Sequence, residues 1–192
     1  MSLGYRVGDA TLPPARPAVI LHVVNDVGAW GAGFTAALDR RWSAAGADYR
    51  AWYAALTGPG DGRRAPCTLG FARLVRLTEA PNARSIWLAH LCAQEGLPGG
   101  DRPPPFRPAA FRDALRRLRP RLATLQKQIG AGRGLGDPDA AGAGLTLHAP
   151  RLGCGLGGGR WSDVEAALRI VTADWPLFIY DLPVTGRVAG GG

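Results

Sequence analysis

Apolar residues gather along this chain in five short runs, at residues 19–24, 68–77, 85–92, 145–150 and 177–181. Most are continuously apolar instead of alternating, the pattern of strands covered on both faces. Between them lie amphipathic stretches with helical spacing, at 33–42, 44–56, 108–129 and 161–173. The third places Phe111, Leu115, Leu118, Leu122 and Leu125 on one stripe, and Pro120 inside it is expected to kink or split the helix. The fourth carries Val164, Leu168 and Val171 on one face, with Ser162 placed to cap its start and Glu165 three residues on. Strands alternating with helices predict an α/β domain with helices on both sides of a mixed, largely parallel sheet. The runs at 68–77 and 85–92 lie close enough to form a hairpin, so at least one strand is expected to be antiparallel.

The chain has 192 residues, which suits one compact domain and leaves no room for two nucleotide-binding halves. No run approaches the ~20 apolar residues of a membrane helix, and the start carries no export signal, so a cytoplasmic protein is expected. Gly and Pro number 28 and 16 but fall in bounded clusters, chiefly 58–66, 96–108 and 130–144, read as surface loops. The residues after Pro183 end in three glycines and are expected to be disordered. The net charge of +8 would draw in anions, nucleic acid included. Yet Lys127 is the single lysine among 23 basic residues, an arginine bias typical of a GC-rich, bacterial genome. Cys67, Cys92 and Cys154 form no C-x-x-C pair, which points away from disulfides and structural zinc. His22, His90 and His148 all lie in strand-like runs and are read as hydrogen-bonded sheet residues, not metal ligands.

Ligands of such a sheet bind outside the carboxyl ends of its strands. Two glycine loops run from strand to helix there. One follows Val24-Asn25-Asp26 with Gly28, Gly31 and Gly33; the other is Pro150-Arg-Leu-Gly-Cys-Gly-Leu-Gly157, continuing to Gly159. Glycines let backbone N–H groups approach a ligand closely, and a helix N-terminus favours negative charge, so a phosphate-containing ligand is expected. Gly153, Gly155 and Gly158 match G-x-G-x-x-G, with Asp181 ending the next strand, but too little chain follows to build a dinucleotide-binding sheet. The G-x-x-x-x-G-K-[ST] loop and the G-x-S-x-G elbow are absent.

The joint pattern resembles the macrodomain family, the ADP-ribose-binding module. It consists of Gly8-Asp9-Ala10-Thr11, then Asn25 with Gly28, Gly31 and Gly33, then Pro150 to Gly157, and the terminal strand Phe178-Ile-Tyr-Asp-Leu182. It covers roughly residues 5–183 and is most similar to the branch holding the terminal ADP-ribose protein glycohydrolase and DarG-type antitoxins, which remove ADP-ribose from thymidine in DNA. The resemblance implies a three-layer α/β/α domain over residues 1–183, with 184–192 as a tail. It implies that Asp9, beside Ala10, accepts the adenine amino group while Tyr180 and Leu182 flank the base. Asn25 would bond the distal ribose, covered by Trp30 and Phe34. Gly28, Gly31, Ala32 and Gly33 would wrap the diphosphate from one side, and Gly153, Cys154, Gly155, Leu156 and Gly157 from the other. No cofactor and no metal are implied.

The glycohydrolase of this branch uses a lysine nucleophile and an aspartate. Neither carries over: the aspartate position is Gly157, and the strand end near the lysine reads Ala93-Gln94. The expected activity is hydrolysis without a catalytic lysine, with Asn25 and Gln94 positioning a water and Asp26 the one acid beside Asn25. A non-catalytic ADP-ribose reader is the alternative. An isolated domain has no second module for a reader to recruit, which favours hydrolysis, and a monomer is expected. The acceptor is a protein Asp/Glu ester or thymidine in DNA. For the latter, the basic loop from Arg102 to Arg107 would contact phosphates, with Phe106 available to stack on a base.

Overall fold

The computed structural model describes residues 3–14, 17–57, 68–77, 85–99, 101–131 and 144–183. The expected tail, most of the 58–66 and 130–144 loops, the hairpin connection and Cys67 lie outside these.

The elements run β1 (Leu3–Val7), β2 (Ala18–Asn25), α1 (Phe34–Arg41), α2 (Ser43–Thr57), β3 (Ala72–Arg76), β4 (Ile86–Gln94), α3 (Pro108–Gly130), β5 (Thr146–Pro150), α4 (Trp161–Val171) and β6 (Leu177–Asp181). The six strands form one sheet in the order β1-β6-β5-β2-β4-β3. All neighbours are parallel except β3, which pairs antiparallel with β4 as the hairpin reading expected. Residues alternate across β2: Val19 and Leu21 pack toward α3 and α4, while Ile20 and Val24 pack toward α1 and α2. This is the three-layer α/β/α arrangement. No helix of the described residues is long and apolar enough to cross a membrane.

Three local features differ from the sequence reading. β1 was not marked by any apolar run. It is an edge strand whose Tyr5, Arg6 and Val7 are exposed, so burial imposes no hydrophobic pattern on it. Of the kink or split expected at Pro120, the split does not occur: α3 runs unbroken for 23 residues. The carbonyl that loses its donor to the proline, at Arg116, lies on the same exposed flank, where water can replace the bond. Ser162 is not the cap of α4; the helix starts after Arg160, whose guanidinium pairs with Asp163 in the first turn.

The histidines are core residues. His22 and His90, opposite each other on β2 and β4, share a 2.6 Å Nε2···Nδ1 hydrogen bond. His148 bonds the Tyr180 hydroxyl at 2.9 Å and Thr146 at 3.0 Å. Burial pushes His22 down to about 3 and His148 down to about 4, with Arg6 adding to the latter, and drives His90 well below the ordinary value.

Candidate functional site

The carboxyl ends of β2, β4, β5 and β6 open into one cleft of about 830 Å³. It is lined from one end by Gly8, Asp9, Ala10, Tyr180 and Leu182, and from the other by Gln94, Leu97 and Pro98, with the two glycine loops facing each other between them.

The first loop is built by Asn25. Its Oδ1 accepts the N–H groups of Val27 (3.2 Å) and Ala29 (2.9 Å), and its Nδ2 donates to Ala29 O at 2.9 Å. The side chain expected to meet a ribose therefore also shapes the loop that follows it. Gly28 adopts a φ of 72°, and a Cβ there would lie 2.5 Å from the Tyr53 ring, so only glycine fits. Gly31, Ala32 and Gly33 stand exposed at the rim. Thr35, which sequence reasoning did not single out, takes Gly31 N at 2.9 Å and Ala32 N at 3.1 Å on its hydroxyl.

The second loop rests on Phe106. Its ring lies directly beneath Gly153, at φ 69°, and a Cβ at Gly159 would come within 2.7 Å of it. Phe106 N donates to Gly157 O at 3.1 Å. Phe106 is thus buried, packed 5.5 Å centroid to centroid on Phe111, and is not available to stack on a base. Arg107 is likewise engaged, with Glu95 at 2.9 Å and Pro104 O at 2.6 Å, which leaves Arg102 as the exposed cation of that loop. On the cleft side, a Cβ at Gly155 would meet nothing within 4 Å. No described protein group accepts from the N–H of Gly155, Leu156 or Gly157. Three successive free donors at a strand-to-helix turn form a place for an anion.

Gly157 does not merely lack the expected carboxylate. A Cβ there would lie 2.6 Å from Gly153 O and 2.7 Å from Gln94 Nε2, so the Gln94 amide fills the space an aspartate would need. The β2–β4 register shifts between Val24 and Asn25, so that Asn25 pairs with Gln94, both at the cleft. A bulge of this kind re-aims the side chain that follows it.

Asp26, Gly28 and Cys154 do not line the cleft. The Asp26 Oδ1, on the acid expected beside Asn25, accepts Gly96 N at 2.7 Å. The Cys154 thiol donates to Leu152 O at 3.3 Å, and burial pushes its pKa up. The cleft wall also includes Ala37 and Arg40, which continue from Phe34 along α1 at three-residue spacing, and His22 on its floor. Helical phase from Phe34 was the signal that would have found the first two. Charged lining groups are few. Asp9 uses Oδ1 to hold Thr11 N at 2.8 Å, and Arg151 is held by both oxygens of Asp181 at 2.6 and 2.8 Å. That ion pair lowers the Asp181 pKa.

No protein-family model and no curated protein sequence matches the chain. Among solved structures, a macrodomain protein from Streptomyces coelicolor is 31% identical, with a TM-score of 0.65 over 94% of this chain and 99% of that one. A protein of unknown function from Bacteroides thetaiotaomicron is 28% identical, with a TM-score of 0.69 over 95% and 99%. Thermosipho africanus DarTG, solved in complex with ADP-ribose, shares the fold at 18% identity and TM-score 0.57, over 88% of this chain and 39% of that one. The chain belongs to the macrodomain family.

Proposed function

We propose that this chain binds ADP-ribose in the cleft and hydrolyses it from modified macromolecules, as a single macrodomain over residues 1–183 with 184–192 as a tail, acting as a monomer in the cytoplasm. One arrangement carries the reading: Gly155, Leu156 and Gly157, whose N–H groups have no acceptor among the described residues, line a single cleft with the β2–α1 loop, Asp9 and Gln94. The ADP-ribose held by the Thermosipho relative supports the choice of ligand.

In this reading Asp9, through the oxygen not bonded to Thr11, accepts the adenine amino group beside Ala10, and Tyr180 and Leu182 flank the ring. The diphosphate lies between Gly31, Ala32 and Gly33 on one side and the segment from Gly153 to Gly157 on the other. The distal ribose sits near Asn25, Trp30 and Phe34. The bond from its anomeric carbon to the acceptor breaks with the electron pair leaving on the acceptor. A water held by the Gln94 amide adds its oxygen to that carbon, and its proton passes to the departing group. The nearby diphosphate charge stabilises the oxocarbenium-like transition state. No lysine takes part. The acceptor is a protein Asp/Glu ester or a thymidine base in DNA, the latter with Arg102 near its phosphates.

A reader without turnover is the second reading. It is favoured by Gly157, where the branch pattern has an aspartate, and by a distal end whose lining residues include no carboxylate. Purified protein offered proteins modified on Asp/Glu, serine or arginine, and a thymidine-modified oligonucleotide, separates the two. Release of ADP-ribose from the ester or the oligonucleotide is expected. Tight ADP-ribose binding with no release from any substrate would leave only the reader, and failure to bind would remove both.

A further inference from the structure

Asp26 stands one residue beyond the β2 strand end, half-buried and outside the cleft, yet it holds the distal end of that cleft from three directions. Its backbone N donates to Gln94 O at 3.0 Å. Its carboxylate accepts Gly96 N at 2.7 Å. Its carbonyl accepts the Tyr53 hydroxyl at 3.2 Å, which anchors Asp26 itself to α2.

The strand pairing explains why a side chain is needed here. Val24 pairs with Cys92, but Asn25 pairs with Gln94, so Ala93 is the extra residue of a bulge. A bulge disrupts the ladder and bends its strand. After the bulge β2 and β4 part, and the bond from Asp26 N to Gln94 O is the last between their backbones. The Asp26 carboxylate supplies the next rung in place of a backbone carbonyl. It does so at Gly96, whose φ of 68° turns the chain and whose Cβ position is empty, so the glycine serves conformation and not packing. The chain then enters the cleft wall as Leu97 and Pro98. The other flank of this segment is fixed independently, by Glu95 N on Pro105 O at 2.9 Å and by the Gln94–Phe106 bridge. Gln94 is therefore clamped between Phe106 and Asp26, with its amide against Gly157.

We propose that Asp26 is a positioning residue, whose carboxylate acts through Gly96 to set the Gln94 amide and the Leu97–Pro98 wall at the distal end of the cleft and never touches the ligand. This rests on the reading of the cleft as an ADP-ribose site. Asparagine at this position keeps an acceptor oxygen for Gly96, whereas alanine removes it. Asp26→Asn is expected to turn over substrate within about threefold of the parent, because a neutral acceptor keeps roughly half the strength of a charged one. Asp26→Ala is expected to lose about 30- to 100-fold in kcat through misplacement of Gln94, with ADP-ribose Kd little changed.

If Asp26 instead transferred a proton, the asparagine variant would be as slow as the alanine variant, and one limb of the pH–rate profile would vanish in both. That result overturns the proposal, as does a fully active Asp26→Ala. If the parent binds ADP-ribose but hydrolyses nothing, the Gln94 side-chain amide resonances decide. They are expected to shift on ADP-ribose addition in the parent and Asp26→Asn but not in Asp26→Ala, and equal shifts in all three overturn it. If the parent does not bind ADP-ribose, the cleft reading itself fails. The Gly96 amide proton then still tests the clamp: it is expected downfield in the parent and Asp26→Asn and upfield in Asp26→Ala, and an unmoved resonance refutes it.

Discussion

Gly155 and Gly157 lie two residues apart in one loop, and alanine at each is expected to fail for opposite reasons. At Gly155 the added methyl meets no protein atom within 4 Å, and the backbone is not in the left-handed region. Gly155→Ala therefore folds with unchanged stability. The methyl does enter the cleft, where it holds a diphosphate away from the Gly155 and Leu156 N–H groups. A hydrogen bond to a charged group contributes about 1.5–3 kcal/mol, so loss of one weakens ADP-ribose binding by roughly 10- to 150-fold. At Gly157 the methyl would lie 2.6 Å from Gly153 O and 2.7 Å from Gln94 Nε2. Relief requires the loop to shift, at a cost of about 1–3 kcal/mol, and melting falls accordingly. Thermal melting without ligand, paired with calorimetric titration of ADP-ribose, measures both effects on the same samples. A Gly155→Ala protein that binds ADP-ribose as the parent does would refute the placement of the diphosphate on this loop. A Gly157→Ala protein as stable as the parent would refute the close packing of Gln94.

The buried histidines make stability depend on pH. His22 and His148 titrate near 3 and 4 when folded but near 6.5 when unfolded, so their contribution is complete above about pH 6.5 and declines as the pH falls toward those values. At pH 5 each costs about 2 kcal/mol, with His90 acting in the same direction; denaturant unfolding at pH 7.5 and 5 should show that loss, and equal midpoints would contradict the burial. Removal of the Phe106 ring opens a cavity beneath Gly153 and Gly159 and is expected to lower stability by about 3–4 kcal/mol, with ADP-ribose binding lost as the loop sags. Phe106→Ala with parental melting and affinity would show that the ring does not support the loop.

The central strands were legible because burial on both faces wrote itself into continuous apolar runs, and the two glycine loops were legible because positive φ and close contact admit little else. The edge strand β1 was not, since exposure places no hydrophobic demand on Tyr5, Arg6 or Val7. Phe106 illustrates a different limit. Its neighbours are proline and arginine, so its local context reads as a solvated loop. Its burial comes from Gly153 and Gly159, some fifty residues away, which offer no side chains of their own. Asp26 could be named as a candidate from its position next to Asn25, and Gln94 from the strand end near the lysine position of the family pattern. Which of them faces the cleft depends on a one-residue bulge that no periodicity reveals.

The two walls of the cleft differ in how they are supported. The wall from Gly153 to Gly159 is backed at both its ends, by Phe106 at Gly153 and Gly159 and by Pro104 at Gly158, whereas Gly31, Ala32 and Gly33 stand at the surface, tied mainly by the Thr35 hydroxyl. A molecule that leaves the cleft does so past the side that yields. If ADP-ribose binds as proposed, its exchange is expected to be a one-sided movement paced by the β2–α1 loop, with the Phe106-backed wall as the fixed template.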